Sequence, residues 1–219
     1  MSKLYVVGIG PGAYEKMTME ACEALKNSDV IIGYTVYVDL VRDHFPGKEF
    51  LTTPMKKEVD RCVLAFEEAK KGKTVAMICS GDAGVYGMSG LMYEVGVNYP
   101  EVELEIIPGV TAATGGAAVL GAPLIHDFCV ISLSDLLTPW EKIEARLLGA
   151  AQADFVICLY NPSSKKRHDY LEKACNLMLQ HKSPDTVCGI VGNIGREGEE
   201  ARVMTLEEFC LLYTSDAAD

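Results

Sequence analysis

The stretch Ser80-Gly81-Asp82-Ala83-Gly84 sets one carboxylate between two glycines, directly after the apolar run Val75 to Cys79. The run is too short for a helix and reads as a buried strand. Glycine removes the Cβ where a backbone must turn or approach a ligand closely. In open α/β sheets ligands bind at the carboxyl ends of strands, which is where Asp82 falls. Asp82 is therefore a candidate for meeting a cationic group, or for ordering the loop that does. The plain alternative is an N-cap for the next helix.

A second glycine-rich turn follows Lys3 to Gly10, itself an apolar strand. Gly8, Gly10 and Ala13 formally match the dinucleotide pattern G-x-G-x-x-G/A. Pro11 removes an N–H from the loop that would cradle a pyrophosphate. The acidic residue expected about 20 residues on is missing, because the second strand, Val30 to Gly33, runs into Tyr34-Thr35. A nucleotide-binding oxidoreductase thus rests on the formal match alone. No Ser-His-Asp or Cys-His arrangement is evident, and no Cys or His spacing suits a metal.

The surrounding elements alternate. Thr18 to Ser28 reads as a helix, and Tyr34, Tyr37, Val38, Val41 and Phe45 fall at helical spacing. Lys56 to Gly72 is the clearest helix, with Val59, Cys62, Val63, Phe66 and Ala69 as its apolar stripe. Met88 to Val97 is a further helix, Val102 to Ile107 an edge strand, and Thr111 to Leu120 a small-residue helix. This strand–helix alternation predicts a largely parallel sheet. Gly121-Ala122-Pro123 divides the chain into domains 1–121 and 122–219. The second begins with a strand, His126 to Ser132. A helix follows from Trp140 to Gly149, with Thr138 as N-cap and Pro139 first in the helix. A strand from Asp154 to Tyr160, a helix from Ser163 to Gln180 and a strand from Thr186 to Gly192 complete the pattern.

The net charge of −11 excludes the basic footprint of nucleic-acid binding and attraction to an anionic membrane surface. No apolar run approaches a membrane span, and Met1 to Gly12 reads as a first strand rather than a signal peptide. The eight cysteines are scattered. Cys79, Cys129 and Cys158 sit in apolar runs as small core residues. A reducing compartment, the cytoplasm, is expected.

Taken in order, G-I-G-P-G at 8–12, S-G-D-A-G-V-Y-G-M at 80–88, P-G-V-T-A at 108–112 and L-Y-N-P at 159–162 resemble the tetrapyrrole (corrin/porphyrin) methylases. G-Y-T-V-Y-V-D-L at 33–40, the block 121–140 and N-P-S-S-K-K-R at 161–167 resemble the subgroup acting on carbon 17 of precorrin-3B or cobalt-factor III. The likeness spans about residues 3 to 209. It implies two α/β domains, each a mixed, mostly parallel sheet flanked by helices, with S-adenosylmethionine in the cleft between them and a homodimeric assembly. Pro11, Ser80, Gly81, Asp82, Val85, Thr111, Ala112, Tyr160 and Gly189 would contact that cofactor. The family's usual Gly-Asp-Pro is Gly81-Asp82-Ala83 here, which leaves the carboxylate in place.

The resemblance also implies methylation of carbon 17 in cobalamin biosynthesis, with contraction of the macrocycle. Contraction needs proton movement and hence a positioned acid or base. His126, Asp127, Ser132, Ser134 and Asp135 are the candidates, expected together at the mouth of the second domain. Domain-junction hydrogen bonding is the alternative for His126 and Asp127, and a turn cap for Asp135. Lys165, Lys166, Arg167, His168 and Arg196 follow predicted strand ends and would meet the carboxylates of the tetrapyrrole substrate, unless they are a solvated run. Methylation at another carbon is the nearest alternative activity. The ending C-L-L-Y-T-S-D-A-A-D departs from the family, and the second sheet is expected to lack an edge strand.

Overall fold

The computed structural model describes residues 2–54, 56–162 and 169–215. The chain divides into two compact units. The first runs to Gly115 and takes in Asn193–Glu199; the second comprises Gly116–Gly192 and the chain from Glu200 onward.

The first unit is built on five strands: β1 (Ser2–Gly8), β2 (Val30–Tyr34), β3 (Glu49–Thr53), β4 (Val75–Cys79) and β5 (Val102–Ile107). They form one sheet in the order β3-β2-β4-β1-β5. Every pairing is parallel, so the sheet is uniformly parallel where a mixed one was expected. All five strands therefore end along one edge. β5 lies at the margin, as its alternating acidic residues suggested, and Lys3 pairs with Glu105 at 2.5 Å.

Helices cover both faces, as parallel sheets require. On one face α1 (Met19–Asn27) and α2 (Thr35–Val41) bury Ala21, Leu25, Val38 and Val41 against Val7, Ile31, Ala76 and Ile78. Thr18 caps α1, accepting from the Ala21 amide at 3.0 Å. On the other face α3 (Glu58–Lys70) and α4 (Ser89–Gly96) pack Cys62, Ala65, Phe66 and Met92 on Leu4, Val6, Ile32 and Met77. Phe66 stacks on Tyr99 with ring centroids 4.7 Å apart. The apolar stripe of α3 is narrower than its sequence implied: Val59 is 54% and Val63 38% exposed. α5 (Ala112–Val119) follows β5.

The second unit holds β6 (Phe128–Ser132), α6 (Trp140–Gln152), β7 (Val156–Tyr160), α7 (Tyr170–Met178), β8 (Val187–Gly192), β9 (Glu200–Thr205) and α8 (Leu206–Ser215). β6 and β7 pair in parallel, while β8 and β9 form an antiparallel ribbon. β9, which had no strong sequence signal, supplies an edge strand next to β8. Leu133, Ile143, Leu147 and Leu171 make the core. α6 starts with Pro139 at the cap position and no side-chain cap, so Thr138 does not cap it.

Burial pushes the thiols of Cys62, Cys79 and Cys188 up to about 11, and that of Cys175 higher still. Of the three cysteines read as core residues, Cys79 is buried, while Cys129 and Cys158 are half-buried with thiols that burial also raises. Among the described residues no cluster of His, Cys, Asp and Glu suits a metal, and no helix is long and apolar enough to cross a membrane.

Truncating Phe66, which is 1% exposed, is expected to cost about 3–5 kcal/mol. Val63→Ala on the same helix should cost under about 1 kcal/mol. Urea denaturation of the two variants measures the difference.

Candidate functional site

At the carboxyl edge of the first unit, three loops lie on one another. The Ile9 amide donates to the Cys79 carbonyl at 2.9 Å, carrying the β1–β4 ladder one residue past the strands. Gly10 and Gly81 then exchange two backbone hydrogen bonds, at 3.0 and 2.8 Å. The third loop, after β5, closes on both. A Cβ on Gly109 would stand 2.2 Å from the Gly81 oxygen and 2.5 Å from the Gly8 oxygen. One on Gly8 would stand 2.7 Å from the Gly81 oxygen and 2.8 Å from the Gly109 nitrogen. Glycine is required at both positions by the approach of protein backbone to protein backbone.

Asp82 joins these loops. Its Oδ1 accepts from the amides of Gly84 and Val85 at 2.8 and 2.9 Å, and its Oδ2 from the amide of Gly109 at 2.9 Å. The carboxylate thus closes its own turn and ties the exit of β4 to the exit of β5. It caps no helix, because α4 begins at Ser89 with Met88 at the cap position. Gly81, at φ +70°, turns towards the start of α5, and a Cβ there would meet nothing nearer than the Thr111 Cα at 3.8 Å.

Arg196 docks on the same loops from the segment 193–199. Its Nε donates to the Pro11 carbonyl at 2.9 Å and an Nη to the Ser80 hydroxyl at 3.1 Å. Its aliphatic stem fills the place of a Cβ on Gly12, 2.5 Å away. Pro11, Ser80, Gly81, Asp82, Val85, Thr111 and Ala112 are therefore gathered in one corner of the first unit. Side chains there are small and backbone dominates, and the first turn of α5 adds positive potential. Such a bed fits an uncharged ring system with a polar tail. Asp82 already accepts three amide hydrogens, so it fits the part of loop organiser rather than that of a free counter-ion.

The dinucleotide reading finds no cradle in this corner. The Gly10 amide is spent on Gly81, Pro11 has none, and only a single 3-10 turn, Tyr14–Lys16, precedes the next α-helix, α1, at Met19. Pyrophosphate sites instead set a helix N-terminus directly at the glycine turn.

The second unit separates its candidates. Ser132 ends β6, and its hydroxyl accepts from Asn161 Nδ2 at 3.0 Å and from the Ser134 amide at 3.2 Å. Tyr160 ends β7 opposite it, and its carbonyl accepts from the Leu133 amide at 2.9 Å. Asp135 accepts from the Tyr170 hydroxyl at 2.7 Å, and the Tyr170 ring packs on Trp140 with centroids 4.6 Å apart. His126 and Asp127 precede β6 and lie, exposed, at its opposite end. A strand advances about 3.3 Å per residue, so this five-residue strand holds the two groups apart. They do not form the single cluster expected with Ser132 and Asp135. Gly189, on β8, faces Leu120: a Cβ there would stand 2.5 Å from Leu120 Cδ1. Lys165, Lys166, Arg167 and His168 lie outside the described residues.

Two polar residues of this rim, Asn161 and Tyr170, were given no role by sequence, although Asn161 lies in the L-Y-N-P motif. Asn161 carried a signal, since asparagine is among the few residues that tolerate a positive φ, here 52°. Tyr170 carried none, because its partner lies 35 positions away.

Gly109→Ala is expected to force the loops apart and cost more than about 3 kcal/mol. Gly90→Ala, in α4 with nothing within 4 Å of its Cβ, should be neutral or stabilise by about 0.5–1 kcal/mol. Thermal melts of the two variants check the contrast.

A family model described as Tetrapyrrole (Corrin/Porphyrin) Methylases matches residues 3–210. A probable cobalt-factor III C(17)-methyltransferase of Salmonella typhimurium is 50% identical over 204 residues, 93% of this chain and 85% of the relative. A precorrin-3B C(17)-methyltransferase of a Sinorhizobium species is 43% identical over 210 residues, 94% of this chain and 82% of the relative. Among solved structures, the methyltransferase CobJ superposes with a TM-score of 0.87 at 34% identity, over 95% of this chain and 88% of that one. A uroporphyrin-III C-methyl transferase from Thermus thermophilus, complexed with S-adenyl homocysteine, shares the fold with a TM-score of 0.73 at 21% identity, over 96% of this chain and 91% of that one. The chain belongs to the tetrapyrrole (corrin/porphyrin) methylases.

Proposed function

We propose that this protein is a C-methyltransferase of cobalamin biosynthesis that methylates carbon 17 of cobalt-factor III or precorrin-3B and contracts the ring. The observation that carries this reading is the 50% identity, across 93% of the chain, to a relative named for that activity. S-adenosylmethionine is the methyl donor in this reading. It is supported by the family and by the fold shared with an S-adenyl homocysteine complex.

When bound, such a donor would supply a methyl group on a sulfonium, whose C–S pair would return to sulfur as the new C–C bond forms at carbon 17. The protein needs no nucleophile for this, only alignment and exclusion of water, and alignment alone can be worth about 7–11 kcal/mol. Backbone around Gly81, Thr111 and Ala112 would hold the donor, with Pro11, Ser80 and Val85 beside it. Asp82 fixes those loops through three amides, so that little reorganisation is left for the reaction. Tyr160 and Gly189 belong to the same proposed set from the second unit.

For the proton steps of contraction, Asp135 and Ser132 are the favoured groups. Both lie at the carboxyl end of β6, and Tyr170 holds Asp135 by one hydrogen bond. His126 and Asp127 remain in the proposal at the far end of that strand. Lys165, Arg167 and Arg196 are proposed for the acidic side chains of the tetrapyrrole. Arg196 would do so while braced on Pro11 and Ser80. A homodimer in the cytoplasm, with domains 1–121 and 122–219, completes the reading.

Mass spectrometry of the product, after incubation with the methyl donor and each of the two substrates, tests the proposal. A product heavier by one CH₂ unit, with the altered absorption of a contracted ring, is expected from at least one of them. Asp135→Ala should retain donor binding and lose most of that product. No product from either substrate would overturn the reading.

A further inference from the structure

Arg61 sits in the first turns of α3 and is only 5% exposed. Burying a guanidinium is costly unless an opposite charge accompanies it, and arginine cannot escape by losing its proton. Glu68, also buried, receives Lys71 and Lys73 at 2.5 and 2.7 Å. Arg61 has no carboxylate partner among the described residues. Its Nε donates to the Thr53 hydroxyl at 2.8 Å and an Nη to the Pro54 carbonyl at 3.3 Å, and its head lies 6.0 Å over the Tyr34 ring. Asp60, its neighbour in the chain, pairs with Lys57 at 2.9 Å.

The position is as informative as the missing partner. Tyr34 ends β2 and Thr53 ends β3, on the same carboxyl edge as Ser80 and Gly81. The chain leaves β2 towards β3 on one side and leaves β4 towards β5 on the other. This reversal is the kind of switch point at which open α/β sheets bind ligands. Arg61 borders it: its charge reaches the Cys79 thiol at the end of β4, partly opposing the rise that burial imposes there. Tyr34 and Thr53, the side chains that meet Arg61 at this edge, are half-buried.

We propose that Arg61 is a carboxylate-binding residue, whose guanidinium takes an acid group of a small molecule bound at the carboxyl edge of the first sheet. The inference rests on the methyltransferase reading, which offers two sources of that group: a peripheral acid of the tetrapyrrole, or the amino-acid end of the methyl donor. The planar fork of arginine suits either one.

Calorimetric titration of the full chain and of Arg61→Met with three probes tests the proposal. S-adenosylhomocysteine carries the donor's carboxylate, 5′-methylthioadenosine lacks it, and cobalt-factor III carries the tetrapyrrole acids. Loss of a charged hydrogen-bonded pair should weaken at least one carboxylate probe about tenfold or more, with methylthioadenosine unchanged. Weakening of S-adenosylhomocysteine assigns Arg61 to the donor, and weakening of cobalt-factor III assigns it to the substrate. Arg61→Lys keeps the charge but loses the fork and should show the same pattern at smaller amplitude; it carries the test alone if Arg61→Met does not fold. Unaltered affinity for both carboxylate probes, or equal weakening of all three, would overturn the inference while leaving the methyltransferase reading standing. A wild-type chain that binds none of the probes would overturn both.

Discussion

Three backbone amides converge on one carboxylate. Asp82 closes its own turn through Gly84 and Val85 and reaches across to Gly109, so the exits of β4 and β5 move as one piece. Hydrogen bonds to a charged group are worth about 1.5–3 kcal/mol each, against about 0.5–1.5 for a neutral backbone pair. The glycines follow from this constraint. With the loops drawn together, a Cβ on Gly8 or Gly109 has no room. The tight bends of this edge are thus a product of how the protein holds itself.

Local residue patterns were legible in the sequence; contacts that only the fold creates were not. The parallel unit, the edge placement of β5 and the role of the 80–84 turn as a centre were all readable from short apolar runs punctuated by glycine. The partner of Asp82 was not, because Gly109 is 27 positions away and only the sheet order brings β5 near β4. The same limit hid the Tyr170–Asp135 bond. His126 and Asp127 failed in the opposite sense: they are close to Ser132 in sequence, but an extended strand turns proximity along the chain into distance. β3 and β9 gave weak signals because they are half-exposed strands, E-F-L-T-T and E-A-R-V-M-T, without a strong apolar run. Gly189 suited a cofactor by family likeness, yet its lack of a side chain is already explained by Leu120.

The chemistry proposed for this chain asks little of its side chains and much of its geometry. Methyl transfer to carbon needs two reactants held in line, away from water. It does not need an activated serine or thiol, and Cys62, Cys79 and Cys175 sit buried with raised pKa values. The acidic balance of the chain places the burden of recognising an acidic substrate on a few well-placed cations. The loops' organiser is negative and accepts three amide hydrogens, whereas the buried Arg61 has no carboxylate partner among the described residues.

The central claim is that the junction pinned by Asp82 forms the bed for the methyl donor. Amide hydrogen exchange, with and without S-adenosylhomocysteine, tests it most directly. The account predicts slow exchange at Gly84, Val85 and Gly109 in the free protein, and added protection on binding across residues 80–85 and 109–113. Protection confined to other segments, with these amides exchanging as before, would contradict it.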